Sequence, residues 1–201
     1  MKQSQNQKLA GKDFITCGIF SVLFFVAMFL SAFMNMFGYT AAFYSSVVGF
    51  FIGILLVILN AKVQKTGAVF IFSIVPVLYF FASGLIEGFI GAVALMIAAA
   101  LAEFIIRNNQ KSFNKMAISS ILYSVVYTLV STGGNFINTD QYCDNALAHG
   151  INELVVEQMR SIYSIKPLLL VVVILTVILT SLGTLVGKRI MKKHLKKAGI
   201  L

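Results

Sequence analysis

The sequence predicts an all-α integral membrane protein, a bundle of about six spanning helices with both ends in the cytoplasm. Three observations carry that reading. Of 201 residues, 59% are hydrophobic and only 11% are charged, with a mean hydropathy of +0.91. A soluble domain normally carries charge on roughly a quarter of its residues. The apolar residues gather into six runs, each close to the roughly 20 residues that a helix needs to cross a bilayer core about 30 Å thick. The basic residues fall between alternate runs, as retention of Lys and Arg on the cytoplasmic side requires.

The first run, residues 14–37, follows a polar, lysine-bearing start. It is too long for a signal-peptide core and no convincing cleavage site follows it, so it reads as a mature helix. The second, 41–59, ends at Asn60-Ala61-Lys62-Val63-Gln64-Lys65. The third, 67–83, carries Pro76, which a lipid-embedded helix tolerates when neighbours cover the freed backbone. The fourth, 88–106, follows after only Gly84-Leu85-Ile86-Glu87 and closes at Arg107-Asn108-Asn109-Gln110-Lys111. The fifth is 116–136, and the sixth, 167–186, is opened by Pro167 and followed by a basic tail, 187–201. The chain 1–201 thus reads as a single membrane domain.

With the amino terminus inside, all but Arg160 and Lys166 of the 16 Lys and Arg residues lie on the cytoplasmic side. An odd number of spans would break that separation. Four of the seven acids, Asp140, Asp144, Glu153 and Glu157, then lie outside, in the stretch 138–166. Within it Leu147, Ile151, Leu154, Val155, Met159 and Ile162 recur at helical spacing, which predicts one amphipathic helix across the outer face between helices five and six.

The net charge of +9 invites a nucleic-acid reading, because basic domains attract phosphate. Its distribution argues against one: the charges flank apolar runs and form no nucleic-acid module. Cys17 and Cys143 make no disulfide framework. Neither histidine, His149 or His194, lies in a span, and no run carries paired carboxylates or metal-ligand spacing. No cofactor is implied. Gly183-Thr184-Leu185-Val186-Gly187-Lys188-Arg189 is one residue short of a phosphate loop and lacks its Ser/Thr. A membrane enzyme is accordingly disfavoured. An accessory subunit without a ligand of its own is the alternative to a small-molecule carrier.

Ionisable residues in spans are functional candidates. Glu103 precedes Arg107 by four residues, the order that favours an ion pair within one helix at the inner interface. Glu87 sits at an outer turn between Gly84 and Gly88, with Tyr79 two turns back. With Asn35, Tyr39, Asn135, Asn138 and Tyr142 these make a candidate substrate-binding set at the outer end. Small residues four apart, Cys17 and Ser21, Gly49 and Gly53, Gly183 and Gly187, allow close helix approach, within the bundle or to a membrane partner.

The chain resembles the S components of energy-coupling factor (ECF) transporters, particularly the group called MptD or Trep_Strep. The resemblance rests on Lys12-Asp13-Phe14-Ile15-Thr16, on Ala61-Lys62-Val63-Gln64-Lys65-Thr66-Gly67, and most specifically on the tail Gly187-Lys188-Arg189-Ile190-Met191-Lys192-Lys193-His194-Leu195-Lys196-Lys197-Ala198-Gly199. It covers nearly the whole chain, with Gln64 where proline is expected. It implies a six-helix bundle of the S-component type that captures a small nutrient or vitamin-like molecule from outside. It also implies partners, one membrane T subunit and two cytoplasmic ATPases. In the family, small residues of helix one contact the T subunit. Cys17 and Ser21 match in type and depth, although Val22 beside them is bulkier.

Overall fold

The computed structural model describes residues 9–82, 86–107 and 112–195, with the backbone alone for Ile86, Glu87, His194 and Leu195. Asp13 opens α1 (Gly11–Ala32) as an acidic first-turn residue whose Oδ2 accepts the Ala10 N–H at 2.8 Å, satisfying a donor that the helix leaves free. Tight turns at Phe33–Met36 and Gly38–Phe43 lead to α2 (Tyr44–Val63). That helix ends at Gln64, which takes a left-handed conformation with φ 46°. The others are α3 (Ala68–Ala82), α4 (Ile86–Ile106), α5 (Phe113–Thr128), α6 (Gly134–Ile137), α7 (Thr139–Ala148), α8 (Glu153–Ser164) and α9 (Leu168–Ile190). A π-helical turn, Leu129–Gly133, joins α5 to α6.

The fold is therefore helical throughout, without strands among the described residues. Five helical stretches are long and apolar enough to cross a bilayer: Gly11–Met36, Gly38–Val63, Gly88–Ile106, Phe113–Ile137 and Leu168–Lys193. The third apolar run is a helix of 15 residues, about 22 Å at 1.5 Å per residue. Side chains such as Ile19, Phe29, Ile90, Phe104, Leu170 and Ile178 point outward, a belt of exposed apolar surface far larger than a soluble protein carries.

Contacts along the helices fix their directions. Phe24 of α1 stacks on Phe72 of α3, and Phe25 meets Tyr79, while Asp13 binds Lys65 just before α3, so α1 and α3 run the same way. Glu103 near the end of α4 meets the start of α3, and Phe89 near the start of α4 meets Phe81, so α4 runs opposite. Ser46 bonds Val172 and Thr176, whereas Gly53 faces Thr180 and Gly183, so α2 and α9 are parallel. Tyr44 and Gly49 face Ser131 and Ser124, so α5 is antiparallel to α2. Lys12, Lys62, Lys65, Arg107, Lys115, Lys188 and Arg189 therefore share one end of the bundle, the basic end. At the other, α7 and α8 form a cap.

The cap differs from the single stripe predicted for it. Gly150, with φ 80°, breaks the segment into two helices, and Asn152 caps the second by accepting the Leu154 N–H at 2.9 Å. A 3.6-residue period does not carry across that turn. The buried face is Cys143 and Ala146 of α7 with Val156, Met159 and Tyr163 of α8, packed on Ala41, Ala42 and Val172. Leu154 is 70% exposed, and Leu147 is exposed too. Arg160 ties the two helices together through Asp140 and, at 3.0 Å, Asp144.

Candidate functional site

At mid-bundle the interior is aromatic. Phe24 and Phe72 stack at 4.9 Å, and Tyr123 and Tyr127 meet Phe24 edge-on. The Tyr123 hydroxyl is satisfied by Ser73 at 2.8 Å. Toward the cap a hydroxyl chain stitches three helices: Ser46 to Thr176 at 2.9 Å and Thr176 to Thr128 at 3.0 Å, with Thr132 donating to Ser45 beside it. Such short side chains satisfy one another where water is absent and let helices approach closely.

The cap end gathers tyrosines. Tyr44 donates to the Ser131 carbonyl at 2.9 Å, in the π-helical turn, where the ordinary i→i+4 ladder is interrupted. Its ring is enclosed by protein yet keeps accessible surface. Its hydroxyl lies within electrostatic range of Tyr79, Tyr127, Tyr142 and Tyr163. Tyr163 is fully buried, packed against Phe136 at 4.9 Å and Tyr142 at 5.3 Å. Burial pushes the Tyr142 phenol up to about 12 and raises Tyr163 further, with Tyr142 adding to the effect. Asn135 stands beside the Tyr163 hydroxyl, but neither it nor Tyr142 closes a hydrogen bond of normal geometry onto it. Among the described residues eight buried polar atoms lack partners: Ser31 Oγ, Asn35 Oδ1 and the Tyr163 hydroxyl on segments that end at or form the cap, and atoms of Asn60, Glu103, Ser119, Ser124 and Thr180 elsewhere in the bundle. Buried polar atoms are nearly always paired, so these are the candidate contacts for a bound molecule.

The predicted outer set is only partly brought together. Asn35, Asn135 and Tyr142 are half-buried at the cap end, and Tyr79, 53% exposed, lies on its flank against Phe25 and Phe80. Tyr39 is exposed at the rim. Asn138 is exposed and lines an open surface cleft of about 330 Å³ with Thr139, Asp140, Ser164 and Lys166. The side chain of Glu87 lies outside the described residues. Sequence reasoning missed Ser31, Tyr44 and Tyr163. A signal was present: in a chain with 18 Phe and 7 Tyr, a tyrosine within or beside an apolar stretch must find a partner for its hydroxyl.

At the basic end two expectations are corrected. Glu103 does not pair with Arg107, which is exposed. Its carboxylate turns inward, 4% exposed, and Oε1 accepts the N–H groups of Gly67 at 3.0 Å and Val69 at 2.7 Å, capping α3. A carboxylate at a helix N-terminus meets both free donors and the positive end of the dipole. Cys17 and Ser21 do not form an outward-facing surface: they are 0% and 1% exposed. Ser21 Oγ accepts the Val75 N–H at 3.0 Å, directly before Pro76, where the helical ladder is disturbed.

A family model described as "Hypothetical bacterial integral membrane protein (Trep_Strep)" matches residues 11–197. No curated protein and no solved structure matches the chain.

Proposed function

The chain belongs to this Trep_Strep family of bacterial integral membrane proteins, and we propose that it is the substrate-binding S component of an ECF-type importer. In this reading it captures a small nutrient from outside and delivers it through a T subunit and two ATPases. The observation that carries the proposal is that buried polar atoms at the end of α1, on the turn after it and on α8, Ser31 Oγ, Asn35 Oδ1 and the Tyr163 hydroxyl, lack partners within the fold. A bound molecule would satisfy them.

Two features support the topology that the role requires. The alternating directions of α1, α2, α3, α4, α5 and α9 favour α3 as a sixth crossing, its short length extended by the turn before it. With six crossings both termini lie on one side. The concentration of Lys and Arg at the basic end favours that side as the cytoplasm, leaving the cap outside. Because Cys17 and Ser21 are buried, T-subunit contact falls on the exposed side of α1. There Ile15, Ile19 and Val22 face out, and Gly18 leaves a notch in which an added Cβ would meet nothing within 4 Å.

Affinity purification of the tagged chain from its native membrane tests the assignment. Co-elution of a membrane T subunit and two ATPases is expected, and Gly18→Phe should reduce their recovery by filling the notch. If the chain elutes without any ATPase under mild detergent, the S-component reading fails.

A further inference from the structure

We propose that the end of α9 holds the phosphate of an anionic phospholipid, in the leaflet at the basic end of the bundle. Such a site follows from the membrane fold alone and requires no carrier role.

The faces of α9 are unlike one another. One is buried, with Thr176, Thr180, Gly183, Thr184 and Gly187 turned inward, and Gly183 and Gly187 lie against Phe50 and Ile54 of α2. The other is open. Ile174, Ile178 and Leu185 are exposed and recur at spacings of four and seven, which is a single helical face. Arg189 follows Leu185 by four residues and so stands one turn further along that face. It is exposed, as are Lys192 and Lys193 after it. From Ile178 to Arg189 the helix rises about 16 Å at 1.5 Å per residue. That is close to one leaflet's share of a hydrocarbon core about 30 Å thick. The cations therefore stand where the apolar face ends. Neighbouring helices reach the same depth: Lys188 lies over the Phe113 ring of α5 at 4.1 Å, and Met191 packs with Met116 and Ala61.

The charge balance names the occupant. Of the seven acids, Asp13 is bound to Lys65 and Glu103 caps α3. Glu87 opens α4 at the opposite end, and the other four lie in the cap. Among the described residues no acid pairs with Arg189, Lys192 or Lys193. Guanidinium and ammonium groups both bind phosphate, the former through two parallel hydrogen bonds. Basic residues directly after a membrane helix are drawn to an anionic leaflet. An acidic protein surface would meet the cations and leave the apolar face bare. A phospholipid meets both, with its phosphate at Arg189 and Lys192 and its chains along Leu185, Ile178 and Ile174.

Native mass spectrometry of the protein in a maltoside detergent tests this, with phosphatidylglycerol and phosphatidylcholine of identical chains supplied in equal amount. Phosphatidylglycerol should be retained in preference. Arg189→Gln and Lys192→Gln should each lower its retention about fivefold, the effect of one surface cation near anionic lipid, and leave phosphatidylcholine unchanged. Both side chains are exposed, so the variants should keep the size-exclusion profile of the parent. Lys12→Gln removes an exposed cation from the start of α1 and should leave phosphatidylglycerol retention as it was. Glycerol phosphate, the headgroup without its chains, should fail to displace the lipid. Equal retention of the two lipids overturns the proposal. An equal loss in Lys12→Gln makes the preference one of net charge and removes the site from α9. Displacement by glycerol phosphate turns it into a site for small anions and overturns the lipid as occupant.

Discussion

Glu103 carries the most consequence of any single side chain at the basic end. Its Oε1 serves two backbone donors of α3, at 3.0 and 2.7 Å, and so holds α4 to the α2–α3 turn. Asp13 holds α1 to the same turn through Lys65 at 2.7 Å. Glu103→Ala orphans both N–H groups and should lower stability by about 2–6 kcal/mol, at 1–3 kcal/mol for each unsatisfied buried group. Glu103→Gln keeps an oxygen for them and should cost much less. Thermal unfolding in detergent separates the two, and equal losses would mean that charge rather than capping matters. At the cap, the phenol of Tyr142 is raised from 10.0 to about 12 by burial. The unfolded chain releases that proton first as pH rises, so the cap's stability is complete below pH 10 and falls between 10 and about 12. Tyr142→Phe should flatten that alkaline loss, read by circular dichroism across the same range.

Among the helices, α2 and α9 approach most closely, and glycine makes this possible. A Cβ on Gly183 would lie 2.1 Å from the Phe50 carbonyl oxygen, and one on Gly53 would lie 2.4 Å from that of Thr180. Neither carbonyl can move without displacing its helix, so interhelical packing and the Ser46–Thr176–Thr128 chain would be lost together. Gly183→Val should abolish the monodisperse peak in size-exclusion chromatography, whereas Gly18→Ala should leave it unchanged. A well-folded Gly183→Val would show that the α2–α9 seam is looser than described. The cap helices obey a different solvent. Met159 and Tyr163 of α8 are buried and Leu154 is exposed, because α8 docks on the Gly38–Phe43 turn, where a Cβ on Gly38 would strike Val155 and Gln158 at 2.5 Å.

Over the whole molecule, the parallel course of α2 and α9 sets the parity. If α3 crosses the bilayer, residues 62 and 157 lie on opposite sides. Both Lys62 and Glu157 are exposed, and neither bears an ion pair among those described. A cysteine at Glu157 should react with an impermeant maleimide in intact cells, and one at Lys62 only after permeabilisation. Cys17 and Cys143 are both buried, which keeps the background low. The reverse pattern would invert the orientation, and reaction at both sites would remove α3 from the set of crossings.

The membrane class, the apolar runs, the gathering of Lys and Arg between alternate runs and the polar stretch before the last helix were all legible in the sequence. Hydropathy and charge act residue by residue, and they partition a chain between lipid and water whatever its packing. Which face of each helix turns inward was decided only by the tertiary structure. In lipid both faces are apolar, so the period that betrays a buried stripe in water is weak. Cys17 and Ser21 were therefore assigned to the wrong side of α1, and Glu103 to Arg107 rather than to the start of α3. The stretch 138–166 shows its helical period, but the turn at Gly150 resets the phase, so its buried face was misjudged as well. The cap end needs separate segments to meet: the start of α2, the π-helical turn after α5, α6 and α8. Only folding brings them together, because the contacts that set their depth, such as Tyr44 with Ser131, join residues 87 positions apart.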